Sequence, residues 1–344
     1  MSSMMETSRC TFVGRKFTSP MWFDRRHVIH TNMRIAKYYL AVTVIAVLWI
    51  SLRPLLHTNA ELGTEENSIQ LMLTPSTDAP AIIRNGEVLA DYLLKTTGLH
   101  VKVTVPTNYI VIVEAFGTKR ADVAIMNTFA YLLAHKKYGA NAVLRVARRY
   151  GELSYRGEFI VPASSGIERV EQLEGKTIAF VDPSSTSGYI YPKEMLKRLK
   201  VTPKREVFAN GHNQVVAKVY LGDVDAGAVF YSRPDTATGE QLDARCKVAT
   251  EYPDVFEKVK VIGLTDEIPN DPVVVRNGLD KETTAKLVDA LYQFAQTEQG
   301  RKALMTIASI EGFKRASDQE YDDMRALVAR YGIDVEKTLQ KKRK

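Results

Sequence analysis

The sequence predicts an α/β protein built from two lobes with a ligand cleft between them. Short apolar runs typical of buried strands alternate along the chain with longer segments whose apolar residues recur at helical spacing. The connections between these segments are short, which favours parallel sheets covered by helices. A chain of 344 residues is long enough to form one large or two medium-sized hydrophobic cores.

An apolar run over residues 38–52 precedes the predicted lobes. It is short for a membrane span and long enough for the central part of a secretory signal. Two alternatives stay open: a signal peptide that starts at Met33 and is cleaved at Thr58-Asn59-Ala60, or an uncleaved anchor that tethers the protein to the inner membrane. In both cases we assign residues 1–60 to an N-terminal extension and expect the remainder to be exported to the periplasm.

The formal net charge of +7 comes mainly from this extension. Residues 1–60 hold eight of the 47 Lys and Arg side chains and two of the 40 Asp and Glu side chains, so the rest of the chain is nearly neutral. A nearly neutral body lacks the basic surface that nucleic-acid binding requires, and we predict no nucleic-acid partner.

In the first half, strands and helices alternate strictly. An apolar strand comes first, a glycine at position 98 ends the first helix, and Asn108 caps the second helix. The predicted elements are strand 68–73, a helix after the loop 74–78, strand 101–105, helix 108–116, strand 121–125, helix 127–138 and strand 142–148.

The second half continues the alternation and ends in helices. The predicted elements are strands 158–162 and 177–181, helix 190–199, strand 206–208, helix 212–221, strands 226–230, 259–262 and 273–275, and helices 281–294, 298–307 and 319–330. The last helix has no functional assignment beyond covering one lobe.

The segment DPSSTSGY at 182–189 lies between a buried strand and the start of a helix. Three hydroxyl groups, on Ser185, Thr186 and Ser187, meet unpaired backbone N–H groups there, where the helix dipole is positive. Such a loop can hold a small oxyanion without any Lys or Arg. Ordinary helix capping is the alternative. The P-loop pattern of nucleotide hydrolases is absent from the sequence.

Several other polar loops follow predicted strands and so are expected at the same cleft. With the segment just described, they are 74–78, 107–109, 126–128 and 211–213. No group of His, Cys, Asp or Glu has the spacing of metal ligands, and no nucleophile has an evident base. We therefore predict a binding protein without catalytic residues, metal or cofactor.

Specific motifs make residues 68–310 resemble the periplasmic phosphonate-, phosphate- and phosphite-binding proteins of ABC importers, the PhnD type. They are TNY at 107–109 with VEAFG at 113–117, DVAIMNTFAY at 122–131, DPSSTSGY at 182–189, NGH at 210–212 with GDVDA at 222–226, and IPNDP at 268–272.

This resemblance implies a type II periplasmic-binding-protein fold whose two lobes close on the ligand about a hinge. We expect lobe 1 to comprise residues 68–158 and 264–344, and lobe 2 residues 159–263. The implied function is capture of a small phosphorus oxyanion and its delivery, by a monomer, to an ABC permease and its ATPase. A ligand-sensing subunit that signals to a membrane histidine kinase is the alternative.

The resemblance also implies which residues bind the ligand. The expected ligand-binding residues are Thr77, Tyr109, Met126, Asn127, Thr128, Ser185, Thr186, Ser187, His212 and Asp271. An aspartate beside an oxyanion is unfavourable unless it accepts a proton from it, so Asp271 would select a protonated oxygen; an Asx turn at 270–272 is the alternative.

Two positions depart from the relatives that take aminoethylphosphonate. Ser232 stands where those relatives place an acidic residue, and Met126 stands where they have a tyrosine. A serine cannot offset the desolvation of an ammonium group, so a zwitterionic ligand is disfavoured. The expected ligand is phosphite, phosphate, methylphosphonate or a close analogue.

Overall fold

The computed structural model describes residues 37–48 and 60–330. Residues 37–48 form a helix, α1. The translation start expected at Met33, residues 49–52 of the apolar run, and residues 58–59 of the expected cleavage site lie outside the described part of the chain. Among the helices that the structure describes, none combines the length and the apolar character needed to span a bilayer.

Eleven strands lie within the described residues. They are β1 (Ile69–Leu73), β2 (Val101–Thr104), β3 (Val123–Ile125), β4 (Asn141–Ala147), β5 (Ser154–Pro162), β6 (Thr177–Phe180), β7 (Arg205–Phe208), β8 (Ala226–Tyr231), β9 (Val259–Pro269), β10 (Pro272–Val275) and β11 (Gly312–Arg315). Strand β11 has no counterpart among the predicted elements.

The α-helices between 60 and 330 follow the predicted order, except that the short helix α7 was not predicted. They are α2 (Ala79–Thr97), α3 (Tyr109–Gly117), α4 (Thr128–Tyr138), α5 (Tyr191–Arg198), α6 (His212–Tyr220), α7 (Val255–Lys258), α8 (Lys281–Gln296), α9 (Glu298–Ala308) and α10 (Asp322–Arg330). A π-helical turn, Thr186–Ile190, leads into α5.

The strands form two sheets, and each sheet is mixed. The first has the order β11-β4-β10-β3-β1-β2 and the second β7-β6-β8-β5-β9. β1 runs parallel to β2 and β3, and β6 runs parallel to β7 and β8. β10 is antiparallel to β3 and β4, and β5 is antiparallel to β8 and β9. The expectation of parallel sheets was therefore wrong in part.

The connectivity explains the antiparallel strands. The chain passes from the first sheet to the second between β4 and β5, and returns between β9 and β10. A strand that arrives from the other lobe starts at the cleft and runs away from it. It is therefore opposite in direction to strands that end at the cleft.

The two passages lie at residues 148–153 and 270–271. Strands β5 and β9 pair along their length in the second sheet, so residues 154–158 and 264–269, expected in lobe 1, belong with lobe 2. From here, lobe 1 denotes the first sheet with its helices, and lobe 2 denotes the second sheet with its helices.

Helices α2, α8 and α9 cover one face of the first sheet. Leu89 and Leu93 of α2 and Phe294 of α8 are buried in the same apolar cluster, and the rings of Tyr92 and Phe294 lie 4.9 Å apart. Burial of one such side chain contributes about 1.5–3 kcal/mol. This packing fixes the loop after β1, where α2 is capped by the carboxylate of Asp78 through a 3.1 Å hydrogen bond from the Ala81 amide.

Candidate ligand-binding site

A small cavity of about 40 Å³ lies between the two lobes. Most of its walls come from the segments that follow β1, β2, β3, β4, β6, β7, β8 and β9, because the carboxyl ends of these strands meet at this edge. The start of β5, the end of β8 and the end of α9 complete them. The lining residues are Ser76, Thr77, Tyr109, Asn127, Arg148, Tyr155, Ser185, Thr186, Ser187, His212, Phe230, Lys247, Asp271, Thr306, Ile307, Ala308 and Ser309.

The loop at 182–188 has the predicted strand, turn and helix start. The carboxylate Oδ1 of Asp182 accepts hydrogen bonds from the amide and hydroxyl of Ser184, at 2.9 and 2.7 Å. The hydroxyl of Ser185 caps the π-helical turn by accepting from the amide of Gly188 at 3.1 Å. The first N–H groups of such a turn have no partner within it. Ser185, Thr186 and Ser187, which begin this turn, form part of the cavity wall.

Gly188 is required by close packing in this loop. A Cβ atom at this position would lie 2.4 Å from Cγ2 of Val181. Since Val181 directly follows β6, the glycine lets the turn fold back against the end of its own strand.

The hydroxyl of Thr186 joins the two lobes. It donates to Oδ1 of Asn127 at 2.9 Å and accepts from the amide of Phe129 at 3.0 Å, and both residues belong to the start of α4 in lobe 1. Its proton is thereby committed to Asn127. A ligand would therefore meet the backbone at Thr186 rather than its hydroxyl proton.

Asn127 and Tyr109 carry hydrogen-bond donors that are not used within the described structure. Oδ1 of Asn127 accepts from Ala130 and Thr186, whereas its buried Nδ2 has no partner among the described residues. The buried hydroxyl of Tyr109 likewise has none there. Burial raises the pKa of Tyr109, and the charges of Asp182 and Asp271 raise it further, so this hydroxyl keeps its proton.

His212 is a neutral donor. Its Nδ1 accepts a hydrogen bond from the amide of Phe230 at 3.2 Å, which assigns the ring proton to Nε2. Burial lowers the pKa of His212 to about 3, and the charges of Arg148 and Lys247 act in the same direction. The backbone amide of His212 also donates to the carbonyl oxygen of Ser76 at 3.0 Å, a second link between the lobes.

Asp271 provides an acceptor in the same cavity. Its Oδ1 is buried without a hydrogen-bonding partner among the described residues, so this oxygen does not close an Asx turn. Burial raises the pKa of Asp271 to about 6, and the nearby charge of Arg148 opposes the increase. The neighbouring Asn270 fixes this segment, since its Nδ2 donates to the carbonyl oxygens of Val146 and Glu152 at 3.0 and 2.8 Å.

Two cations that sequence reasoning did not place at the site also line the cavity. The guanidinium of Arg148 lies 4.3 Å from the ring centre of Tyr155 and donates from Nη1 to the hydroxyl of Ser232 at 3.0 Å. Lys247 enters from the 3₁₀ segment Ala244–Val248. The loop 182–188 itself contains no cation; Arg148 and Lys247 come from distant parts of the chain.

Eight of the ten expected ligand-binding residues line this cavity. The two others, Met126 and Thr128, do not. Met126 is fully buried in the apolar core, and the hydroxyl of Thr128 donates to the carbonyl oxygen of Pro269 at 2.8 Å. Each directly flanks Asn127, which does line the cavity.

Sequence reasoning missed seven further polar or aromatic lining residues: Ser76, Arg148, Tyr155, Phe230, Lys247, Thr306 and Ser309. A signal existed for Arg148, because it ends a predicted strand whose neighbours also end at the cleft. None existed for Lys247, which lies far from every motif.

A model of the family described as "ABC transporter, phosphonate, periplasmic substrate-binding protein" matches residues 71–321. The chain is 26% identical over 239 residues to the phosphonates-binding periplasmic protein of Escherichia coli, covering 68% of each chain. It is 24% identical over 281 residues to the phosphate-import protein PhnD of Mycolicibacterium smegmatis, covering 75% of this chain and 84% of that one.

Solved structures share the fold. A binding protein component of an ABC phosphonate transporter from Pseudomonas aeruginosa superposes with a TM-score of 0.66 at 21% identity, over 79% of this chain and 87% of that one. PhnD1 from Prochlorococcus marinus, in complex with methylphosphonate, gives a TM-score of 0.66 at 17% identity, over 77% of this chain and 98% of that one. The expected type II periplasmic-binding-protein fold is thereby confirmed.

Proposed function

Because this chain belongs to the family of periplasmic substrate-binding proteins of phosphonate ABC transporters, we propose that it captures a small phosphorus oxyanion and delivers it to a membrane permease. The ligand class is phosphite, phosphate or a short alkylphosphonate. The names of the relatives in Escherichia coli and Mycolicibacterium smegmatis support a phosphorus ligand.

One observation carries the proposal: three unused donors and one unused acceptor share a small cavity. The donors are the hydroxyl of Tyr109, Nδ2 of Asn127 and Nε2 of His212, and the acceptor is Oδ1 of Asp271. Buried polar groups without partners are costly, so a cavity that keeps several of them is suited to a ligand that satisfies them together. Hydrogen phosphate supplies three unprotonated oxygens and one hydroxyl. A singly protonated phosphite or alkylphosphonate supplies two unprotonated oxygens and one hydroxyl, and each of these oxygens can accept more than one hydrogen bond.

The charges of the cavity favour an anion over a zwitterion. Arg148 and Lys247 line it, and the hydroxyl of Ser232 already accepts a hydrogen bond from Arg148. An ammonium group in this cavity would be repelled by two cations. Among the described residues that line the cavity, Asp271 is the one carboxylate that could attract it. This supports the exclusion of aminoethylphosphonate.

The remaining parts of the proposal follow from the family. We place the protein in the periplasm as a monomer, with an ABC permease and its ATPase as partners. Whether the N-terminal extension is a cleaved signal or a tether is decided by sequencing the N-terminus of the mature protein from its native host.

Isothermal titration calorimetry tests the ligand class. The purified body of the protein is titrated with phosphite, phosphate, methylphosphonate, 2-aminoethylphosphonate and sulfate. We expect binding of at least one of the first three, and weaker or no binding of 2-aminoethylphosphonate and of sulfate, which carries no proton for Asp271. Absence of binding for all the phosphorus compounds, or a preference for sulfate, would overturn the proposal.

A further inference from the structure

A second cavity adjoins the proposed binding site. It has a volume of about 180 Å³, and it shares Arg148, Lys247 and Ser309 with the first cavity. Its other walls come from the passage after β4, the segment that follows β8, and helix α9. A ligand whose head group occupies the first cavity could therefore extend past Arg148 and Lys247 into the second.

Most charges around the second cavity neutralise one another. Arg149 lies 2.6 Å from a carboxylate oxygen of Asp235 and 3.7 Å from one of Glu311. Arg233 lies 3.0 Å from a carboxylate oxygen of Glu152. These cations need no further anion.

Arg148 and Lys247 differ from these neighbours. Within the described residues, neither has a carboxylate oxygen within 4 Å, and the remaining acidic residue of this wall, Glu240, is exposed to solvent. Arg148 is 9% exposed, and its Nε is buried without a hydrogen-bonding partner among these residues. Asp271 of the first cavity is near enough for its charge to interact with that of Arg148, but the two form no ion pair within 4 Å. A buried guanidinium without a direct anionic partner is unfavourable, so the pair is suited to an anionic group supplied by a ligand.

We propose that the natural ligand carries a second anionic group on the carbon attached to phosphorus, and that Arg148 and Lys247 bind this group. The ligand class is then a short phosphonate with a terminal carboxylate. This inference rests on the proposed function and extends the ligand class from an uncharged to an anionic substituent.

The two ends of such a ligand would contact different kinds of side chain. The phosphonyl group occupies the first cavity, where Tyr109, Asn127 and His212 donate hydrogen bonds and Asp271 accepts one. The carboxylate lies at the wall shared by the two cavities. There the planar guanidinium of Arg148, oriented by Ser232 and by the ring of Tyr155, presents the paired N–H groups that suit a carboxylate.

A series of four phosphonates, three of them with a two-carbon substituent, tests the inference by calorimetry. Methylphosphonate probes the head group alone. Ethylphosphonate, phosphonoacetate and 2-aminoethylphosphonate then add a neutral, an anionic and a cationic end. We expect phosphonoacetate to bind about 10- to 100-fold more tightly than ethylphosphonate, the range for a charge-assisted hydrogen bond, and 2-aminoethylphosphonate to bind most weakly.

Substitutions of Arg148 and Lys247 test whether these two cations cause the tighter binding of phosphonoacetate. Arg148→Met and Lys247→Met should each reduce the ratio of phosphonoacetate affinity to methylphosphonate affinity about tenfold or more. Lys302→Met is the matched control, since Lys302 is an exposed residue of α9 that pairs with Glu298, and it should leave the ratio unchanged. Circular dichroism and the melting temperature verify that each variant is folded. If Arg148→Met does not fold, Lys247→Met and the ligand series still test whether the ligand carries a second anionic group.

The outcomes separate this inference from the proposed function. Equal affinities for phosphonoacetate and ethylphosphonate would overturn the inference and leave the proposed function intact. Equal losses for phosphonoacetate and methylphosphonate in both variants would also overturn it, because the cations would then contact the phosphonyl group. Absence of binding by all phosphonates, phosphite and phosphate would overturn the proposed function itself.

Discussion

The hydroxyl of Thr186 donates a hydrogen bond to Oδ1 of Asn127 over 2.9 Å, across the boundary between the two lobes. Asn127 is also the N-cap of α4, through a 3.0 Å hydrogen bond from the Ala130 amide. The contact therefore connects the start of a lobe 1 helix to the ligand loop of lobe 2. Because these two contacts hold the side-chain amide of Asn127 in one orientation, its unused Nδ2 is a fixed hydrogen-bond donor in the cavity.

Removing the hydroxyl of Thr186 should weaken ligand binding. Thr186→Val keeps the shape of the side chain and deletes both hydrogen bonds to lobe 1, so we expect a loss of about 1–3 kcal/mol in binding free energy. Calorimetry with the best ligand of the panel measures it. Thr186→Ser retains the hydroxyl and serves as the control. If Thr186→Val bound the ligand as tightly as the wild type, the hydrogen bonds of the Thr186 hydroxyl would contribute nothing to the binding free energy.

His212→Ala should also weaken binding, by about 1–3 kcal/mol, because it deletes a neutral donor to a charged ligand. The same calorimetric titration measures the loss. An affinity equal to that of the wild type would mean that Nε2 does not contact the ligand.

The imidazole of His212 should stay neutral in the folded protein. Its pKa of about 3 lies below the ordinary value of 6.5, so the unfolded chain takes up the proton first as the pH falls. The stability that His212 contributes is present above pH 6.5 and is lost progressively below it. Nuclear magnetic resonance of the ring protons should show no titration between pH 8 and 5; an inflection near pH 6.5 would contradict the burial of this ring.

Asp271→Asn should stabilise the protein without ligand at pH 7. The pKa of Asp271 rises from its ordinary 3.8 to about 6, so the ionised carboxylate costs folding free energy above pH 6. This cost, at most about 2–3 kcal/mol, is relieved as the pH falls through 6, because the folded form then takes up a proton.

Denaturant unfolding at pH 7 and pH 5 measures the effect of Asp271→Asn. The difference in stability between variant and wild type should shrink at the lower pH. The exposed carboxylate of Asp266 provides the control, as Asp266→Asn should show no such change. A variant less stable than the wild type at pH 7 would mean that the carboxylate of Asp271 has a stabilising partner.

Gly188→Ala should destabilise lobe 2. The added Cβ would lie 2.4 Å from Cγ2 of Val181, and overpacking of this kind costs about 1–3 kcal/mol. Gly312→Ala is the matched control, because a Cβ there meets no atom within 4 Å. Denaturant unfolding of both variants measures the difference. Equal stabilities would show that the turn can shift without cost.

The succession of strands and helices could be predicted because each element carries a local periodic signal. The loop at 182–188 was predictable for the same reason. Asn108 does occupy the N-cap position of α3, as predicted, but its side chain makes no capping hydrogen bond. The directions of β5 and β10 were not predictable, since they depend on where the chain passes between lobes. The π-helical turn at 186–190 was also missed, because capping residues mark where a helix starts but not its hydrogen-bonding pattern.

The limits of the site prediction have a similar origin. Met126, Asn127 and Thr128 follow one another in sequence, yet only Asn127 lines the cavity. Met126 is buried in the apolar core, and Thr128, the first residue of α4, directs its hydroxyl to the carbonyl oxygen of Pro269. Lys247 lies in a short 3₁₀ segment whose place in the wall depends on packing in three dimensions. The hydroxyl of Thr186 matches the expected chemistry but is engaged by the opposite lobe.

Each of the two passages between the lobes brings one charged side chain to the cavity: Arg148 from the first and Asp271 from the second. Backbone rotation that swings the lobes apart must take place in or beside these same segments. Opening would therefore change the distance between the positive and the negative group as it changes the width of the entrance. Under the proposed function, binding and release of the ligand would therefore be coupled to the electrostatic field inside the cavity.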